Sequence, residues 1–154
     1  MSGLAVSGLI GYLAEQALGS DGFIGSRLTV DLSRMATLDE ITTECRVLRE
    51  GRRLRLADVT LTQNGRDVAQ GRVVFVRPSP SPDGKVWSDP VTMPPPPVDD
   101  PTWVEGPRAF SDDRGGGVYD FDLWRDPTLR KLLWFRAGYD LVEGEPMSGF
   151  VRSR

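Results

Sequence analysis

Between Arg27 and Arg77 the chain runs through four successive stretches of alternating apolar and polar residues, the period-two signature of half-buried strands. Residues 27–35 set Leu28, Val30 and Leu32 on one face against Thr29, Asp31 and Ser33 on the other. Residues 41–50 and 53–63 follow, joined by a tight turn at Glu50-Gly51. Asn64-Gly65 leads into residues 66–77, and Asn-Gly is a strong hairpin signal because both turn residues tolerate positive φ. In this last run Ala69, Gly71, Val73 and Phe75 share one face, and Val68, Gln70, Arg72, Val74 and Val76 the other. So continuous a meander predicts one twisted antiparallel sheet.

A helix is expected before it, over residues 5–18, where Val6, Ile10, Leu13 and Ala17 form an apolar stripe. Leu9, Ala14 and Leu18 widen that stripe until most of the circumference is apolar, as for a helix wrapped by a sheet. The fold class is therefore α+β. Gly8 and Gly11 lie three apart on the remaining face, each about 1 kcal/mol less favourable in a helix than Ala. Close helix–sheet packing explains such a pair; the approach of a ligand is the alternative. Gly19 is expected to end the helix as a left-handed cap.

The second half has a different texture. Ten of the twelve prolines fall between Pro78 and Pro107, including Pro94 through Pro97. Proline donates nothing to a sheet ladder, so the regular sheet is expected to stop at Arg77. Residues 78–117 read as a Pro/Gly-rich linker skirting the surface, pinned by Trp87 and Trp103. Residues 112–117 make a polar, glycine-rich turn, and 118–125 and 131–141 are expected as a C-terminal strand pair. Ser148 has the character of a helix cap.

Composition narrows the chemistry. At 154 residues and a net charge of −3 the chain suits one core and gives no basic footprint for nucleic acid. Residues 1–77 hold ten basic and nine acidic side chains, and residues 78–154 nine and thirteen, so neither half is a basic patch. No apolar run is long enough to span a membrane. The single Cys45 rules out an internal disulfide, fits a reducing cytoplasm, and reads as a small core residue on its strand. The absence of histidine excludes Ser-His-Asp and Cys-His catalysis and any His-ligated zinc, so neither a metal nor a cofactor is expected.

An apolar helix followed by a long antiparallel meander resembles the hotdog fold, a sheet wrapped around a central helix. Ala-Val-Ser-Gly-Leu-Ile (5–10), Arg-Leu-Thr-Val-Asp-Leu-Ser-Arg (27–34), Val-Leu-Arg-Glu-Gly-Arg-Arg (47–53) and Gln-Asn-Gly-Arg-Asp-Val-Ala (63–69) carry a closer resemblance. In that order they resemble the N-terminal hotdog of the bacterial acyl-CoA thioesterase family with two fused hotdogs. Val-Trp-Ser-Asp-Pro (86–90) is similar to that family's linker, and residues 133–148 to the opening of its second hotdog. The resemblance implies a hotdog over 1–77, an incomplete second repeat over 118–154, and a fatty acyl-CoA as substrate or ligand in lipid metabolism. It also implies that the Asp, Thr and Gln of the family's catalytic group lie beyond residue 154. At the helix start Ser7-Gly8 stands where relatives carry His-Gly or Gly-Gly.

Hotdog thioesterases hold the thioester carbonyl at the start of the central helix, where free N–H groups and the helix dipole stabilise an oxyanion. Val6, Ser7, Gly8 and Gly11 are the substrate-binding candidates on that helix. Asp31 is the candidate carboxylate for activating water, set against a plain solvated position on the polar face. Glu15 reads as a surface charge. Arg46, Arg49, Arg52, Arg53 and Arg55 crowd one end of the meander, either facing coenzyme A phosphates or forming salt-bridged strand edges. One hotdog leaves a sheet edge open, so a homodimer or a hotdog partner subunit is expected. Acyl-CoA hydrolysis is one functional expectation. A degenerate module that binds acyl-CoA or a partner without turnover is the other.

Overall fold

The computed structural model describes residues 1–85, 87, 108–112, 127–128, 131–135 and 140–152, and divides the chain into two compact units. The first comprises Met1–Asp83 with Asp140–Arg154, and the second Gly84–Tyr139.

The first unit opens with α1 (Gly3–Leu18), which starts two residues before the expected helix. Ser2 is the cause: its Oγ accepts the Ala5 N–H at 3.2 Å, a side-chain N-cap. At the other end Gly19 has φ −77°, not the left-handed value expected. Its N–H donates to Glu15 O at 2.7 Å, and a Cβ there would lie 2.6 Å from that oxygen. Glycine is required at 19 for close approach. The positive φ values fall one turn later, at Asp21 and Gly22.

Four strands follow: β1 (Ile24–Leu32), β2 (Thr42–Glu50), β3 (Leu54–Gln63) and β4 (Arg66–Val76). They form one antiparallel sheet in the order β1-β4-β3-β2. β1 starts three residues before the expected run because an irregularity between Gly25 and Arg27 breaks the alternation there. Asn64 (φ 52°) and Gly65 (φ 70°) make the hairpin turn as their sequence demands.

One face of the sheet packs on α1. Val6, Ile10, Ala14 and Leu18 are buried against Ala57, Val59 and Leu61 of β3 and Ala69, Val73 and Phe75 of β4. This is the hotdog arrangement, with a narrower helix stripe than expected: Ala17 is exposed and Leu13 only partly buried. Gly71 marks the closest approach, since a Cβ there would lie 2.5 Å from Ile10 Cγ2. On β2, Cys45 and Val47 pair with the buried Val59 and Ala57 yet remain exposed. The reading of Cys45 as a core residue is therefore corrected: an edge strand lies beyond the helix's cover.

Residues 140–152 return to this same unit. Ser148 caps α2 (Gly149–Arg152), accepting the Val151 N–H at 3.1 Å and donating to Glu15 Oε2 at 2.6 Å. Val151 is 2% exposed, and the Phe150 ring meets Phe75 at 5.9 Å between centroids. The stretch expected to open a second repeat thus packs on the first unit.

In the second unit β5 (Arg108–Asp112) pairs antiparallel with β6 (Lys131–Phe135), from Arg108↔Phe135 to Asp112↔Lys131. A C-terminal strand pair exists, but its first strand lies inside the stretch read as linker. The strand expected over 118–125 lies outside the described residues, as do Trp103 and the Pro94–Pro97 run. Trp87, expected to pin the linker, is 85% exposed.

Adding a methyl group at the helix–sheet contact should be felt directly. Gly71→Ala is expected to lower unfolding free energy by about 1–3 kcal/mol through overpacking against Ile10. Gly149→Ala, whose Cβ meets nothing within 4 Å, should stay within about 0.5 kcal/mol. Urea unfolding of both variants beside wild type measures the difference.

Candidate functional site

Two concavities lie on opposite faces of the sheet, and strand alternation sorts the candidate residues between them. On the helix side a cleft of about 420 Å³ runs along the seam of α1 and β1. Ser7 lines it from the helix, Gly25 through Leu28 and Val30 from the strand, and Phe150 from α2. On the outer side a trough of about 710 Å³ is lined by Arg27, Thr29 and Asp31 of β1, Glu44 and Arg46 of β2, Asp58 and Thr60 of β3, and Gln70 and Arg72 of β4.

Asp31 and Ser7 therefore do not meet. Val30 pairs with Gly71, under the helix, and the next residue, Asp31, pairs with Gln70 on the outer face. Asp31 is exposed there, so it cannot serve a carbonyl held beside Ser7. The expected free amides at the helix start are corrected too. Because α1 begins at Gly3, the Val6 N–H already donates to Ser2 O at 3.1 Å, and Ser7 and Gly8 lie inside the helix. What Ser7 offers the cleft is its side chain. Gly8 is buried, and Gly11 faces Phe150, whose ring carbon would lie 3.5 Å from an added Cβ.

The arginine cluster also separates. Arg55 is 8% exposed and acts inside the fold. Its Nη1 donates to Leu18 O (3.0 Å), Ser20 O (3.2 Å) and Ser20 Oγ (3.1 Å), its Nη2 to Asp21 Oδ2 (2.9 Å), and its guanidinium lies 4.0 Å from the Phe23 ring centre. A residue committed to the last carbonyls of α1 is not a phosphate ligand. Arg46, Arg49, Arg52 and Arg53 are exposed. Arg27 shares the outer-face parity of Thr29 and Asp31, lines the edge of both concavities, and forms no ion pair among the described residues.

Within the trough one acid and one base are paired. Arg72 grips Asp58 through Nε–Oδ1 and Nη2–Oδ2 bonds, both 2.7 Å, which hold the Asp58 carboxyl below its ordinary range. Burial pushes the Cys45 thiol up, away from a reactive thiolate. Glu15 receives the Ser148 hydroxyl, and Glu145 accepts from the Tyr12 hydroxyl, which raises the Tyr12 pKa. Among the described residues no group of His, Cys, Asp or Glu is placed to hold a metal, and no helix is long and apolar enough to cross a membrane. Sequence reasoning missed Arg27 and Phe150. The Phe-Val step after the Ser148 cap was the available signal.

A helix seated on a four-stranded antiparallel sheet, with a cleft at the helix–strand seam, defines a hotdog domain. Residues 3–76 match the model of the acyl-CoA thioesterase N-terminal domain, and over that stretch the chain is similar to the hotdog thioesterases. Among solved structures, a candidate thioesterase II from Thermobifida fusca is 21% identical, with 62% of this chain and 35% of that one covered at a TM-score of 0.50. A hypothetical thioesterase from Streptococcus pneumoniae, solved with coenzyme A, is 20% identical over 49% of this chain and 64% of its own, with a TM-score of 0.45. A Thermus thermophilus thioesterase, complexed with coenzyme A and zinc, is 28% identical over 52% and 68%, with a TM-score of 0.39. The first of the similar structures are covered over 61% and 64% of their own lengths. No curated protein matches the chain.

Two carboxyls couple this fold to pH. Asp58 is held low by hydrogen bonds from Arg72, and Asp21 by its bond to Arg55. Because their folded pKa values are depressed, their stabilisation is complete above the unfolded value of about 3.9 and is lost as pH falls through the folded values. The melting temperature should therefore drop on acidification below about pH 4. Asp58→Asn should make that decline shallower. Thermal melts across an acid pH series check both.

Proposed function

We propose that this protein is an acyl-CoA thioesterase-type hotdog that holds the acyl thioester in the α1–β1 cleft. The observation that carries the reading is a coincidence. The stretch matching the acyl-CoA thioesterase domain, residues 3–76, supplies six of the seven residues lining the cleft. Their chemistry suits an acyl thioester. Leu28, Val30 and the Phe150 ring form apolar walls for a tail, and Ser7 offers a hydroxyl to the thioester carbonyl oxygen.

Hydrolysis also needs a base to activate water. The described lining of the cleft holds no carboxylate, so the base is to come from a paired hotdog, in a homodimer or a partner subunit. Edge strand β1 supports that pairing: it borders the cleft and bonds to β4 on one side only within the described sheet. The same lack of a carboxylate favours the second reading, a module that binds acyl-CoA without turnover.

Thiol release from butyryl- through palmitoyl-CoA, with light scattering on the same samples, separates these readings. Ser7→Ala is expected to reduce turnover about tenfold, the worth of one hydrogen bond of roughly 1.4 kcal/mol. Asp31→Asn should leave turnover unchanged, because the sheet stands between it and the cleft. Absence of turnover with a melting temperature raised by acyl-CoA supports binding alone. A single-chain mass at micromolar concentration would overturn the paired site.

A further inference from the structure

The α1–β1 cleft has a wall that the thioesterase reading leaves unexplained. Phe150 comes from α2, 120 residues beyond Val30, the last of the other lining residues, and its ring is closely seated. A Cβ on Gly25 would lie 2.5 Å from the ring, and one on Gly11 would lie 3.5 Å from it. Two glycines thus clear the space that the ring fills. Phe75 meets it at 5.9 Å between centroids with the planes tilted by 55°, a favourable aromatic geometry. Val151, buried at 2%, and the Ser148 bond to Glu15 fasten the turn of helix that carries it.

The cleft has a direction. A Cβ on Gly3 would meet Leu32, and one on Gly11 would meet Leu28, so α1 runs antiparallel to β1. Ser7 lies midway along this seam, and Phe150 stands across its far end, beside Gly25 and Gly11. A chain entering from the Gly3–Leu32 end and passing Ser7 therefore runs towards the phenyl ring.

We infer that Phe150 is the end-stop that sets how long an acyl tail the cleft accepts. This rests on the acyl-CoA reading and adds to it a residue that determines chain length. The occupant is an acyl chain because Leu28, Val30 and Phe150 give the cleft apolar walls and its described lining holds no anionic side chain.

The stop can be moved both ways. Phe150→Ala removes the ring and lengthens the cleft towards Gly11. Gly25→Ala places a methyl group where the ring now sits, forcing the ring into the cleft and shortening it. Gly25 carries no positive φ, so alanine is compatible with its backbone. The probes are non-hydrolysable S-alkyl-CoA thioethers from butyl to hexadecyl, titrated calorimetrically into the full chain, with circular dichroism confirming the fold of each variant.

Wild-type affinity should rise by about fourfold per methylene and then level off at the stop. The plateau should move to longer chains in Phe150→Ala and to shorter ones in Gly25→Ala. An unchanged plateau in all three folded proteins overturns the assignment of Phe150 and leaves acyl-CoA binding standing. Failure of wild type to bind any chain length overturns the acyl-CoA reading, and the end-stop with it. Should Phe150→Ala fail to fold, Gly25→Ala and the milder Phe150→Leu decide by the same plateau.

Discussion

The seat of Ile10 on Gly71 is the contact on which the other positions depend. A helix of ordinary diameter can approach a sheet this closely only where the sheet offers no side chain beneath it, and Gly71 is that gap at the centre of β4. The approach brings Val6, Ala14 and Leu18 down onto Ala57, Val59, Leu61, Val73 and Phe75, small and branched residues at interior packing distances. It also fixes how far α1 stands from β1. That spacing leaves a cleft at the seam, and Phe150 reaches its end because Gly11 and Gly25 leave room there. Packing and site thus follow from one register.

Arg55 holds the other end of the helix. The last carbonyls of α1 lack partners within the helix, and Gly19 does not supply a left-handed cap. A buried guanidinium bonded to Leu18 O, Ser20 and Asp21, with its face against Phe23, does the work instead. A charge so placed is favourable only while those bonds persist, and removing a partner of such a group is strongly destabilising. This explains why one arginine of a basic-looking cluster is unavailable to a ligand. Spacing along the sequence could not separate it from Arg53, because residues two apart share a face, and the difference is that Arg53 falls just before β3 begins.

The strands were legible in the sequence because a half-buried antiparallel sheet writes its two faces as alternation. All four appear within three residues of their expected limits. The helix starts earlier than expected because Ser2 caps it four residues before the apolar stripe begins, and capping is a local hydrogen bond rather than a pattern. The same alternation that predicted β1 already placed Asp31 opposite Leu28 and Val30, away from the helix. Pairing it with Ser7 ignored that parity. Phe150 was beyond the reach of pattern altogether: its position depends on a tertiary return of residues 140–152 to the first unit. Cys45 shows the converse, a strand residue of correct parity left exposed because β2 lies at the sheet's edge.

The division of labour across the sheet bears on how such a domain can be catalytic. On the outer face the acids are exposed or already engaged, Asp58 by Arg72 with its pKa lowered, so they are poor bases as well as remote ones. On the helix face the cleft has shape and a hydroxyl but no carboxylate in its described lining. On the proposed reading, a water-activating group would reach the thioester along the open seam between α1 and β1. Pairing of β1 with a second hotdog would place new side chains beside that seam while leaving Ile10, Gly71 and Arg55 undisturbed. Substrate selection and bond cleavage would then be separable properties, the first resting on the seam and its phenyl wall and the second on the subunit that completes it.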